Sequence, residues 1–240
     1  MSHFAVLNLP NLLTLSNLFC GCCAILFLFQ GDPITAAGFT VASFVLDYGD
    51  GMAARAMKLQ SELGKQLDSL ADVVSFGVAP GAMLYLLLAN TNYAVGIVPL
   101  DFWAIPAFVL SAFSGLRLGL FNLDKRQTTY FLGLSTPATT VFVMGLTLAA
   151  YENRLGIGDW LLLNKWLVYA LIPVLSLLLI SEIPMFGLKL RKADWKSNWP
   201  LVVVLLHFIG GFFLFGPLAL SISVVLYILL SVLFRRKVTE

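Results

Sequence analysis

The chain reads as long apolar runs separated by short polar breaks. A helix that crosses the hydrocarbon layer of a bilayer needs about 20 mostly apolar residues. Runs approaching that length cover about 11–30, 33–56, 67–88, 102–121, 137–151, 166–183, 199–215 and 217–234, which predicts eight spans. The breaks carry turn chemistry. Gly31-Asp32-Pro33 separates the first two runs, and Gly216-Pro217 makes a tight hairpin between the last two. Ser135-Thr136-Pro137 sets a capping hydroxyl ahead of a proline at a helix start. Residues 89–101 and 152–165 read as short interfacial loops, with Tyr93, Trp103, Trp160 and Trp166 at headgroup depth. The last two runs also fit a re-entrant pair.

Composition agrees with this pattern. Of 240 residues, 59% are hydrophobic and 12% charged, with a mean hydropathy of +0.89. Soluble domains carry about 25% charged residues, so the apolar excess calls for lipid. The expected fold is all-α and integral to the membrane, a polytopic bundle of about eight transmembrane helices. Net charge is +2, which favours no particular partner, and no nucleic acid is expected.

The placement of charge sets an orientation. With the loop after the second run on the cytoplasmic side, only Arg154 and Lys165 of the 15 Lys and Arg fall opposite. The positive-inside rule then puts both termini in the cytoplasm and predicts a multi-pass protein of the plasma membrane. Residues 1–10 hold no Lys or Arg, so the first run reads as a retained span rather than a cleaved leader. Cys20, Cys22 and Cys23 lie inside that run with no His or carboxylate, and read as small packing residues.

Residues 47–72 break the apolar pattern with DYGDGMAARAMKLQSELGKQLDSLAD. Asp47 and Asp50 share a helix face, continued by Gly51, Ala54 and Arg55, and Gly64, Asp68 and Asp72 recur every four residues on the next helix. Two helices thus present two carboxylates each to one space. Four such groups repel one another, and an oxygen-only set suits hard divalent cations, Mg²⁺ or Mn²⁺. The glycines and Ala54 let a ligand approach the backbone, and Arg55 can pair with phosphate. Acids, metal and arginine at a membrane rim point to phosphoryl-group chemistry on a lipid. The same acids could line a cation path instead.

These residues match D-x2-D-G-x2-A-R-x8-G-x3-D-x3-D, and the chain therefore resembles the CDP-alcohol phosphotransferases. The resemblance implies a six-helix catalytic core, a homodimer and two divalent metals per active site. The core would cover about residues 5–185 of a single domain, 1–240, with an added helix pair at about 198–235. Asp47, Asp50, Asp68 and Asp72 would hold metal, with Asp72 doubling as general base. Asn11, Thr14, Gly51, Ala54, Arg55, Ser61 and Gly64 would bind the CDP-lipid. Asn11 fits a helix cap equally well.

Within the family, LPNLLTLSNLFCG at 9–21 and LGKQLDSLADVVSFGVAP at 63–80 resemble segments of the phosphatidylserine synthase subgroup. SGLRLGLFN at 114–122 and FLGLSTPA at 131–138 resemble others, with Gly119-Leu120 where Ala-Arg is commoner and Ser135 where Pro is. That subgroup implies CDP-diacylglycerol and L-serine as substrates, reached from the surrounding membrane lipids. Glycerol 3-phosphate or an inositol phosphate are the alternative acceptors. Arg117, Lys125 or Arg126 could hold the acceptor's carboxylate or a lipid phosphate, or serve topology alone. Ser75 could donate to the acceptor or to its own backbone. His207 reads as a residue paired across helices, and Glu182 as part of a helix end.

Overall fold

The computed structural model describes residues 7–89, 100–124, 131–153, 155–186 and 195–234. Nine helices and one two-stranded ribbon occupy the described residues. They are α1 (Leu9–Phe29), α2 (Pro33–Ala56), α3 (Glu62–Ala89), α4 (Phe102–Leu123), α5 (Thr136–Glu152), α6 (Ile157–Leu163), α7 (Lys165–Ile180), α8 (Trp195–Phe215) and α9 (Leu218–Leu233). All eight expected runs are helical. Helices α1, α3 and α4 are each long and apolar enough to cross a membrane, and α6 with α7 would make a fourth span, broken by an 88° bend. The protein is a polytopic helical membrane protein. Helix α2, at 24 residues, is long enough, but the Asp47–Arg55 segment makes its last turns polar.

Local chemistry fixes the helix starts. Asn8 accepts the Asn11 N–H at 3.0 Å, Asp32 that of Thr35 at 3.0 Å, and Ser61 that of Gly64 at 3.0 Å. Each satisfies an amide that the first turn leaves without a partner. The cap of α1 is thus Asn8, and Asn11 lies inside the helix. Hydrogen bonds from the Thr35 side chain and N–H also hold the Asp32 carboxyl below the usual carboxylate range. Ser135 caps α5, accepting the Ala138 N–H at 3.3 Å, with Pro137 in the first turn.

Helix α3 is the centre of the bundle. Residues 79–88 are buried without a break, against α1, α4, α5 and α7. Six residues, Val73–Val78, form π-helical turns in its middle. Pro80 lacks the N–H that would close an α-turn onto Phe76, and hydroxyls from neighbouring helices take over. Thr140 donates to the Phe76 carbonyl at 3.2 Å, with the Thr136 carbonyl at 2.9 Å as its other acceptor. Ser111 donates to the Gly77 carbonyl at 2.8 Å.

Three features depart from the expected layout. Residues 152–165 hold the short helix α6 rather than a simple loop, and Lys165 at its exit donates to the Leu88 carbonyl at 2.8 Å, closing the end of α3. Helix α7 stops at Ile180, short of the expected 183. Two short strands, β1 (Phe131–Leu132) and β2 (Pro184–Met185), then pair antiparallel with Phe131 opposite Met185. Gly133 permits this turn: its φ is +73°, and a Cβ there would stand 2.7 Å from the carbonyl oxygens of Leu179 and Ser181.

The last two helices reach the bundle through α9. Ser221 donates to the Phe142 carbonyl at 2.7 Å, and a Cβ on Gly145 would meet Leu220 Cβ at 2.6 Å. His207 pairs with Ser223 between α8 and α9 at 2.9 Å, as its place in an apolar run predicts. Trp103, Trp160 and Trp166 are exposed at helix ends; Tyr93 lies outside the described residues.

Candidate active site

The site is built where the end of α2 and the start of α3 lie against α1. Helix α1 is apolar on its exposed side and polar or small on its buried one. Pro10, Asn11, Thr14, Asn17, Gly21 and Ala24 face the protein, and that stripe meets the four aspartates.

Carboxylate oxygens of Asp47, Asp50 and Asp68 all lie within 4.8 Å of one another. Asp72 lies outside that triad but in side-chain contact with Asp47. Thr14 donates to Asp50 Oδ2 at 2.5 Å, with the Pro10 carbonyl at 3.1 Å as its other acceptor. Asp50 is 5% exposed and Thr14 2%, so this bond fixes the most enclosed acid of the triad. The expected sharing of a face by Asp47 with Asp50, and by Asp68 with Asp72, is what brings the groups together.

The residues expected at the nucleotide surround the cluster from α1, the end of α2 and the start of α3, with Asn11 and Thr14 buried and Arg55 and Ser61 exposed. Asn11 Oδ1 and Ser61 Oγ would each stand 3.2 Å from a Cβ on Gly64, so three of those positions converge from α1 and the start of α3. Arg55 folds back along α2, its guanidinium 3.4 Å from where a Gly51 Cβ would be. Ala54 sits half-buried in the same turn of α2. Ser75 is placed differently. It is 1% exposed and donates to the Asn17 carbonyl at 3.1 Å, so its proton is directed into the protein.

Arg117 is 6% exposed on α4. Its Nε donates to the Leu134 carbonyl at 2.7 Å, and its guanidinium lies 5.7 Å from the Phe121 ring centroid. It is near enough to Asp72 for the two charges to interact. Arg117 also lines a cavity of about 300 Å³ with Asp124, Ser181 and Glu182 among its walls. Lys125 and Arg126 lie outside the described residues. Glu182, expected only as part of a helix end, is therefore a wall of this cavity just past α7.

Asn17 was not singled out by the motif. It is completely buried, and its Nδ2 donates to Asp72 Oδ1 at 3.5 Å. The signal was present as spacing: Asn11, Thr14, Asn17 and Gly21 follow one another at three, three and four residues along one helix face.

Fold and site together define a polytopic membrane protein with an acidic, oxygen-ligand centre near one end of its bundle. The chain belongs to the CDP-alcohol phosphatidyltransferase family, whose sequence pattern it matches over residues 7–178. It is 31% identical over 229 residues to the CDP-diacylglycerol–serine O-phosphatidyltransferase of Helicobacter pylori, covering 93% of this chain and 89% of that protein. The protein of the same name in Mycobacterium leprae is 34% identical over 184 residues, 74% of this chain and 57% of that one. The one in Bacillus subtilis is 33% identical over 150 residues, 62% of this chain and 81% of that one. The matched region is thus less than two thirds of the mycobacterial relative's length.

Proposed function

We propose that this protein transfers a phosphatidyl group from CDP-diacylglycerol to the hydroxyl of L-serine, releasing CMP. The observation that carries the reading is the meeting of four carboxylates with the Asn11, Ser61, Gly64 cradle and Arg55 at one end of the bundle. The relatives' names support the choice of substrates.

The carboxylates fit a divalent metal. Their donors are all oxygen, three of them lie within 4.8 Å of each other, and Asp72 adds a fourth beside Asp47. Asp47, Asp50, Asp68 and Asp72 would hold two Mg²⁺ or Mn²⁺ ions. Bound there, such ions would offset the charge of the diphosphate and of the departing CMP. Everything else falls to the chain. Gly51, Ala54, Ser61 and Gly64 leave room for the nucleotide, Asn11 and Thr14 border it, and Arg55 pairs with a phosphate. The serine hydroxyl is a poor nucleophile unaided, and Asp72 takes its proton as the new O–P bond forms at the lipid-bearing phosphorus. The P–O bond to CMP breaks in the same displacement.

The cavity beside Arg117 supports an amino-acid acceptor. Its walls carry both signs, Arg117 against Asp124 and Glu182, which suits a zwitterion better than the dianion of glycerol 3-phosphate or an inositol phosphate. Arg117 would take the carboxylate, with Lys125 and Arg126 adding positive charge on the same side. Ser75 then acts through packing, because its hydroxyl faces Asn17.

The positive-inside count supports a site and termini on the cytoplasmic face of the plasma membrane; the family resemblance is what implies a homodimer with a core at about 5–185 and an added pair at about 198–235. The test is CMP release from purified protein with CDP-diacylglycerol and Mn²⁺ or Mg²⁺, with serine, glycerol 3-phosphate and inositol phosphate supplied in parallel. Release with serine is expected. Release with another acceptor alone would move the protein to a sister activity, and no release with any would reject the reading, leaving ion flux in proteoliposomes to be measured.

A further inference from the structure

Asp72 needs a fixed orientation to take a proton, and its own helix does not supply one. It is the last residue before the wider π-helical turns of Val73–Val78, where the helical ladder is least regular.

Asn17 stands against it from α1. Three helices meet at this residue, because its backbone carbonyl accepts hydroxyls from Ser43 of α2 at 3.2 Å and Ser75 of α3 at 3.1 Å. Ser75 comes this close because Gly21, one turn along α1, has no side chain; a Cβ there would lie 2.3 Å from Ser75 Oγ. The backbone of Asn17 is therefore clamped, and its side chain has few places to go.

The two ends of the amide are treated unequally. Nδ2 reaches Asp72 Oδ1 at 3.5 Å, while Oδ1 is buried with no hydrogen-bond partner among the described residues. Buried polar atoms are nearly always paired, and each exception calls for a reason. Turning the amide over would set its oxygen against a carboxylate oxygen, acceptor against acceptor. An apolar side chain would avoid the unpaired oxygen altogether. What the amide supplies here is an N–H aimed at Asp72. The bond is long, as such bonds often are before substrate closes the site.

We propose that Asn17 is a positioning residue. Its Nδ2 holds one oxygen of Asp72, so that the other faces the acceptor hydroxyl. The role rests on Asp72 as proton acceptor, and no proton or electron passes through Asn17 itself.

The test compares wild type with Asn17→Leu, Asn17→Asp and Ser221→Ala, measuring kcat, both KM values, Mn²⁺ binding by calorimetry, and thermal stability in detergent. Leu has a similar size but no amide, and Asp keeps the shape but puts an acceptor where a donor is needed. Both should lower kcat by about 10–100-fold. In Asn17→Leu, KM for CDP-diacylglycerol and the Mn²⁺ affinity should stay within about threefold, the pattern of an interaction that matters only at the chemical step. Ser221→Ala, which removes a buried hydroxyl between α9 and α5, should lower thermal stability and keep kcat near wild type. Full kcat in Asn17→Leu would overturn the proposal. So would a loss of kcat that tracks thermal stability across all three variants, or an active Asn17→Asp. A wild type that releases no CMP with serine would instead remove the function on which the inference rests.

Discussion

Among single residues, the four aspartates divide by neighbourhood rather than by type. Asp50 is fixed by Thr14, whereas Asp72 meets an amide on one side and the charge of Arg117 on another. Replacing Asp72 with Asn should cut CMP release by at least about 10²–10⁴-fold, the usual contribution of a general base, while CDP-diacylglycerol binding by calorimetry is largely retained. Full activity would remove the role. If the cavity beside Arg117 takes the acceptor as proposed, Glu182→Gln should raise KM for serine about tenfold, the loss of roughly 1.4 kcal/mol of binding, with little change in KM for the CDP-lipid. An unchanged KM for serine would take Glu182 out of acceptor binding. These residues were not equally legible. Eight motif positions could be read from spacing alone, because helical geometry puts i, i+3 and i+4 on one face. Asn17 shares that spacing but belongs to no motif, and Glu182 has no such signal. Each is a lone polar residue in or beside an apolar run, and their partners lie 55 and 65 positions away, Asp72 and Arg117.

At the level of elements, all eight apolar runs became helices because a long apolar run admits little else in lipid. What the pattern could not convey was the interior of those helices. The π-helical turns of α3 depend on Pro80 together with hydroxyls on α4 and α5, and the β1–β2 ribbon depends on Gly133 reaching φ +73° against carbonyls of α7. Both are long-range conditions with no local signature. They carry consequences that can be measured. Thr140→Val would leave the Phe76 carbonyl without its cross-helix donor and should cost about 1–3 kcal/mol, seen as a lower melting temperature in detergent with Mn²⁺ binding intact. Gly21→Ala should be worse. Its methyl would collide with Ser75 Oγ and approach Ser75 Cα to 2.9 Å, so α1 must shift from α3, and stability and CMP release should fall together. An alanine variant that keeps wild-type kcat and melting temperature would show that the packing here is looser than described.

For the whole molecule, the cluster near one end of the bundle is stepped along α3 rather than gathered at its first turn. Asp68 and Asp72 lie six and ten residues into α3, about 9 and 15 Å along the axis. Asn11, Ser61, Gly64 and Arg55 stand nearer the end. On the proposed function the site would be graded along α3, with the residues proposed for the nucleotide nearer the end and the proposed proton acceptor further along. If the acyl chains stay in the bilayer throughout, turnover should follow the mole fraction of CDP-diacylglycerol in mixed micelles at constant bulk concentration. A rate set by bulk concentration alone would argue for extraction of the lipid.

The grading also sorts the traffic. In the proposed reaction a water-soluble nucleotide would leave past the end of the bundle and a finished lipid would slide sideways among its neighbours, so neither product would have to wait for the other to clear the path.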